Sequence, residues 1–433
     1  MPRPRLRPAS GEPSTNPVTG PRALPSSVLE LCAHLEQRGI RTWSQGEGLL
    51  DDLRPRPDDA GAHRGAVPTR TFLCTANAAD LLRALPRAVV TASSRRRLTQ
   101  ATGAGPVDLL PTGHASLEAT LIGFGLSALA FAFRPTDESW CDPTGARDLF
   151  ERGELGGLGN TREGFLRAPR RFWIAARLAA QHSLVPTSEL LSSSLAALPD
   201  ALERLPQGAP ARREVSRILF STSPERGLAF LRESGVSTAL FPGMDPANET
   251  LIAALAPLPA LRWAAWLRGT ATQRALVRMR VPHALARRVE RIQHFHPIDR
   301  SVGTLREVGI RRVLQRLSED EIEGLLGWRR SELAAEPDRP ETRECLDRLR
   351  EIEAQIERGR QLQQRSSRVR ALALDGRAVM TTLGAGPGPH VGRALAHLAN
   401  FVEADPDANS REQLIDELRT WAKANPDAFE RRR

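Results

Sequence analysis

The chain has 433 residues, 40% hydrophobic and 26% charged, which excludes a disordered chain and exceeds what one hydrophobic core organises; two to four structural units are expected. Its 61 basic residues outnumber 51 acidic ones for a net charge of +10, and every basic residue except Lys423 is arginine. No run of about 18 apolar residues free of charge occurs, and Met1-Pro2-Arg3-Pro4-Arg5 leads into no apolar stretch, so neither a membrane span nor a signal peptide is predicted and cytoplasmic residence is the expectation.

Arginine grips phosphate through a planar fork, so the excess suits a nucleic-acid partner bound less tightly as salt rises. A compositional preference for arginine over lysine gives the same count. Cys32, Cys74, Cys141 and Cys345 are far apart and show no metal or disulfide spacing, which predicts free thiols.

Residues 1–25 are rich in Pro, Arg, Ser and Gly without apolar periodicity and read as a disordered basic arm. Val28, Leu29, Leu31, Leu35 and Ile40 then recur at helical spacing, and a turn at Gln45-Gly46-Glu47-Gly48 follows. After a Pro, Gly and Asp loop at 55–70, strands are predicted at Thr71–Thr75, Val89–Thr91 and Val107–Leu110, with a helix at Ala78–Leu85. Beyond Arg147 the pattern is one of amphipathic helices punctuated by prolines at 186, 206, 224, 242, 257, 259, 282, 297, 337 and 387. The fold class is therefore α+β: a mixed-sheet head over 26–150, a helical neck over 151–250, and a helical body and tail over 251–433.

Several local patterns invite chemical readings. Arg167, Arg170, Arg171 and Arg177 can form a basic stripe on a helix, as can Arg358 to Arg370, although Glu351, Glu353 and Glu357 offer ion-pair partners to the second. Trp173, Trp263 and Trp266 sit among Leu, Ala and Ile, which favours core packing over stacking on RNA bases. Gly384-Ala385-Gly386-Pro387-Gly388-Pro389 lacks the Lys and Ser/Thr of a phosphate loop and reads as a turn into a helix from His390. His294 and His296 have no third metal ligand in view, so a surface or capping role is expected.

The order of Glu47-Gly48-Leu49-Leu50-Asp51-Asp52-Leu53, Arg70-Thr71-Phe72-Leu73-Cys74-Thr75, Val107-Asp108-Leu109-Leu110, Asp142-Pro143-Thr144-Gly145 with Asp148-Leu149, and Arg167-Ala168-Pro169-Arg170-Arg171 resembles the class II tRNA nucleotidyltransferase and bacterial poly(A) polymerase family. The resemblance runs from residue 28 to about 420. It continues through Arg213-Glu214, Ser223-Pro224, Gly235-Val236 and Phe241-Pro242 to Leu374-Asp375-Gly376.

That resemblance implies a polymerase-β-like head that joins nucleotides to RNA 3′ ends with Mg²⁺, and places nucleotide contacts at Gly48, Asp52 and Arg171. RNA contacts are assigned to Arg167, Arg170 and Arg177, and Asp108 stands for one catalytic carboxylate. Where the family has its metal-binding D-x-D pair, this chain has Arg70 and Phe72. Glu47 and Asp51 replace a Gly and an Arg of the triphosphate turn, and Ala168 replaces a base-reading Asp.

The expectation is a tRNA-type RNA-binding protein whose head has lost catalysis, with no metal. Two alternatives stay open. One is an active enzyme adding CMP or AMP from nucleoside triphosphates with Mg²⁺, which recruits Asp58-Asp59 or Asp51-Asp52 beside Asp108. The other is a scaffold for protein partners.

Overall fold

The computed structural model describes residues 21–54, 70–92, 97–301, 310, 313, 315–370 and 372–425. Most of the expected basic arm, and both Asp58 and Asp59, lie outside the described residues. The chain divides into two compact units, one ending at His294 and one beginning at Phe295.

The first unit is built on a seven-stranded mixed sheet. Its strands are β1 (Thr42–Gln45), β2 (Arg70–Cys74), β3 (Val89–Ala92), β4 (Arg97–Thr102), β5 (Gly105–Pro111), β6 (Ala132–Arg134) and β7 (Ser139–Cys141), in the order β3-β4-β5-β2-β1-β6-β7. Only β2 and β5 pair in parallel; the other neighbours are antiparallel. Phe72, Leu73 and Cys74 are all at most 1% exposed, because β2 is central and covered on both faces.

On one face, Phe72, Cys74, Leu98, Val107 and Leu109 pack against Val28, Cys32 and Leu35 of α1 (Ser26–Glu36) and Leu81 of α3 (Ala78–Ala84). On the other, Trp43, Leu73 and Ala132 pack against Leu117 and Leu121 of α4 (Leu117–Gly123). Local signals start the helices: the Asn77 side chain accepts from the Asp80 N–H at 2.9 Å, and Ser116 accepts from the Ala119 N–H at 3.1 Å.

The sequence reading missed β1, where a turn was expected from Gln45. The turn shrinks to Gly46, whose φ of +76° favours glycine, and α2 (Glu47–Leu53) starts at once. Thr42-Trp43-Ser44-Gln45 lacks an alternating apolar pattern since all four residues are buried, and Gln45 satisfies its amide by donating to the Leu129 carbonyl at 2.8 Å. Asp142 has the structural task expected of it. Its carboxylate accepts from the backbone N–H groups of Ala146 and Arg147 at 2.9 and 3.0 Å, which fixes the start of α5 (Ala146–Glu151).

A two-residue parallel pair, β8 (Glu154–Leu155) with β9 (Val185–Pro186), precedes the mainly helical remainder of this unit. The helices used below are α6 (Thr161–Arg167), α7 (Arg171–Gln181), α8 (Ser188–Ala201), α9 (Ala209–Leu219), α10 (Pro224–Glu233), α11 (Val236–Leu240), α12 (Ala247–Ala254), α13 (Pro259–Trp266), α14 (Thr272–Arg278) and α15 (His283–Phe295). Pro224 and Pro259 occupy first turns, where the missing N–H costs nothing, whereas Pro199 lies inside α8. Trp173, Trp263 and Trp266 are core residues, and the Trp173 indole donates to the Pro206 carbonyl at 2.9 Å.

In the second unit, Leu374, Val379, Ala394, Leu398, Leu414 and Leu418 form a core among the helices Gly376–Leu383, Pro389–Ala404 and Arg411–Ala424. The 384–389 segment is the expected turn: Gly384 is left-handed at φ +61° and closes one helix, and Pro389 opens the next. His296 departs from expectation. It is not a surface residue but a buried one, stacked 3.7 Å from the Trp328 ring and hydrogen-bonded to Glu332 at 3.1 Å.

Replacing Asp142 with alanine removes acceptors for the first turn of α5. The expected outcome is a loss of about 1–2 kcal/mol, read as an earlier urea transition with an unchanged circular dichroism spectrum.

Candidate active site

Strand register decides which side chains can converge. In β2, Arg70, Phe72 and Cys74 alternate with Thr71 and Leu73, so the two sets face opposite sides of the sheet. β5 pairs with β2 so that Thr71 lies beside Asp108 and Phe72 beside Leu109. Asp108 therefore shares a face with Thr71 and Leu73, not with Arg70 and Phe72. Neither face of β2 carries a carboxylate to join Asp108.

Asp108 itself is engaged. Only 8% exposed, it accepts from the Thr99 hydroxyl at 2.6 Å, and the Arg97 guanidinium lies 3.3 Å from its other oxygen. Arg70 forms a two-pronged ion pair with Asp52, one arm at 3.0 Å and the other from Nη1 to Oδ2. The residue expected to face a triphosphate is thus bound to the residue standing where a metal ligand was expected. Asp51, its neighbour, faces away toward His182 at 3.9 Å, so the adjacent pair does not converge on one ion.

The site does not fit a pair of Mg²⁺ ions. Arg70 stands where one metal-binding carboxylate is expected, and its pairing with Asp52 leaves no net negative charge there to attract a divalent ion. Among the described residues, no cluster of three His, Cys, Asp or Glu side chains is arranged to hold a metal.

Gly48 keeps its place for a packing reason. A side chain there would begin 3.3 Å from the Arg70 Cα, so glycine lets α2 lie against β2. At the head of α2, Glu47 joins a half-buried cluster centred on Arg177. Arg177 Nη1 lies 2.5 Å from Glu47, and Arg177 Nε donates to Glu214 at 2.6 Å; Gln181 accepts from the same guanidinium at 2.9 Å. Burial alone would lower the Arg177 pKa, but Glu47 and Glu214 outweigh it and hold the group above its ordinary value.

Arg177 is therefore corrected: it is 5% exposed and joins α2, α7 and α9 internally, which leaves it unable to meet RNA. The helical spacing that suggested a stripe carries Arg177 round to the inner face of α7. Arg171 donates to the Gly123 carbonyl at 2.7 Å. Its guanidinium fills the space beside Gly125 and Gly164, where a Cβ would lie 2.6 and 2.5 Å from its atoms. Arg167 is exposed and pairs with Glu163 at 3.1 Å, and Arg170 is exposed on the turn between α6 and α7.

In the second unit, Arg360 pairs with Glu323 at 2.9 Å, and Glu353 with Arg330 at 2.8 Å, in keeping with a solvated, ion-paired face. The side chains of Arg365, Arg368 and Arg370 lie outside the described residues. Sequence reasoning passed over Arg274, Arg278 and Arg280, which line an open groove of about 880 Å³. The signal was present: between Thr250 and His294 the only acid is Glu290, against eight arginines.

Arg177→Met removes the cation that Glu47 and Glu214 share, leaving Arg217 at 3.9 Å from Glu47. A destabilisation of about 2 kcal/mol is expected in thermal or urea unfolding, less than for a fully buried pair because these side chains retain 32% and 26% exposure. An unchanged midpoint would show that the cluster does not hold α2 in place.

No protein-family model matches the chain, and no curated protein sequence does. Solved structures do match. The Bacillus stearothermophilus CCA-adding enzyme in complex with CTP aligns at TM-score 0.60 and 17% identity over 93% of this chain and 98% of that one. The Thermotoga maritima CCA-adding enzyme complexed with tRNA aligns at 0.59 and 14% over 92% and 96%. A tRNA-processing enzyme aligns at 0.56 and 15% over 78% and 99%. At these identities the likeness is one of architecture: the chain has the fold of the CCA-adding enzymes, the class II tRNA nucleotidyltransferases that its motifs resemble.

Proposed function

We propose that this protein binds tRNA-like RNA and that its head does not transfer nucleotides. The observation that carries this reading is the Arg70–Asp52 ion pair, which sets a guanidinium where the resembled family has the first metal-binding carboxylate. Three further features support it. β2 lacks any acidic residue, Asp108 is turned to Thr99 and Arg97, and Glu47 is committed to Arg177.

Base selection is weakened in the same way. Ala168 offers no hydrogen-bonding side chain, and Arg171 spends one arm on the Gly123 carbonyl, so discrimination between C and A lacks its paired readers. A charge-based RNA contact survives these losses, because phosphate binding needs only exposed cations. The relatives in fold are described as bound to tRNA and to CTP; only the first role is carried over here. No described helix is long and apolar enough to cross a membrane.

The purified full chain, incubated with Mg²⁺, labelled ATP or CTP and a tRNA transcript ending before its CCA, is expected to give no incorporation above a protein-free control. Incorporation that disappears in Asp108→Ala would overturn the proposed inactivity and favour the active enzyme.

A further inference from the structure

Several exposed arginines of the first unit have no acidic partner among the described residues, and three of them stand together on and just after α14. Many arginines on this protein's surface are matched: Arg162 by Asp200 at 2.7 Å, Arg167 by Glu163 at 3.1 Å, and Arg343 by Asp338 at 2.7 Å. Arg274, Arg278 and Arg280 are exposed, and none of them has an acidic partner among the described residues. They lie within the acid-poor stretch from Thr250 to His294.

The Arg278 and Arg280 side chains lie against neutral groups that leave their charge intact. Arg278 Nη1 donates to the Leu240 carbonyl at 2.8 Å. The Arg280 side chain lies over Gly208, where a Cβ would be 3.2 Å from its Cδ, and the Arg280 carbonyl accepts from Arg212. Arg280 also adopts φ +48°, a conformation that a non-glycine residue takes only when its surroundings impose it. Arg274 and Arg278, one turn apart on α14, are separated by about 6 Å along the axis, which suits successive phosphates of one strand.

The rest of the groove fits what lies between phosphates. Gln207 and Gln273 bring amides that can meet ribose hydroxyls, and Pro210 with Val277, the latter 72% exposed, offers apolar contact to a sugar. The groove is open along its length rather than enclosed, so it accepts a continuous strand.

We propose that the groove lined by Arg274, Arg278 and Arg280 docks the sugar-phosphate backbone of RNA, in a sequence-independent manner and outside the nucleotide cleft. This rests on the RNA-binding reading above and assigns it a place. Arg274, Arg278 and Arg280 each bring one cation to the phosphates, and the glutamines and Val277 set the strand between them.

The test is fluorescence anisotropy with the full chain and a labelled tRNA transcript across a range of KCl concentrations. In Arg274→Gln/Arg280→Gln the slope of log affinity against log salt is expected to flatten by about 1.5, with affinity at low salt falling on the order of tenfold. Arg343→Gln/Arg350→Gln, which removes equal charge from ion-paired surface positions, is expected to leave the slope unchanged. Circular dichroism and the melting temperature verify that each variant folds.

A wild-type chain that binds no tRNA would overturn the RNA reading and this proposal together. Steep wild-type binding with an unchanged slope in the groove variant would overturn the groove alone. Equal flattening in both double variants would replace it with diffuse attraction. Labelled ATP that binds only with Arg274 and Arg280 present, while the tRNA slope stays unchanged, would assign the groove to free nucleotides instead.

Discussion

The ion pair between Arg70 and Asp52 fixes the relation of α2 to the central strand and decides what chemistry the head can host. A guanidinium gripping a carboxylate through two parallel hydrogen bonds is a stable neutral unit, and it engages both oxygens of Asp52. A metal at this position would have to displace a cation already satisfied, while finding no second carboxylate on β2. The same helix is held at its head by Glu47, whose partner Arg177 also binds Glu214. Two clusters thus pin a seven-residue helix that, in the resembled family, belongs to the nucleotide turn.

These clusters turn residues with nucleotide-handling precedents into packing elements. Gly48, Asp52, Arg171 and Arg177 all remain, but each now touches protein: the Arg70 backbone, the Arg70 guanidinium, the Gly123 carbonyl and two glutamates. Gly125 and Gly164 are small because the Arg171 guanidinium fills the space beside them. Arg274, Arg278 and Arg280 have no acidic partner among the described residues, and an RNA contact independent of catalysis is proposed there.

The fold was legible where burial is one-sided. The Asp142 cap and the proline breaks follow local rules and were legible, and of the pattern Val28, Leu29, Leu31, Leu35 and Ile40 the structure buries Val28, Leu35 and Ile40 but leaves Leu29 41% exposed. β1, β4, β6 and β7 escaped because their short stretches contain polar residues that break the apolar alternation, as with Gln45, whose partner is the Leu129 carbonyl. Opposite-face placement of Asp108 and Arg70 was likewise unreadable, since it depends on the β2–β5 register rather than on spacing within either strand. Arg177 was misread for the reverse reason: helical spacing describes a stripe but not which part of it turns inward. Arg274, Arg278 and Arg280 lay in plain view as a run without acids, and attention to local motif spacing alone passed them over.

The central claim is that no divalent ion settles beside Asp108 or Asp52. Crystals of the full chain soaked with Mn²⁺ and CTP, with data collected at the manganese absorption edge, address it directly. The account predicts no anomalous peak within coordination distance of either carboxylate and an intact Arg70–Asp52 pair. A peak bridging Asp108 to a second acidic side chain, with CTP phosphates on its far side, would contradict it.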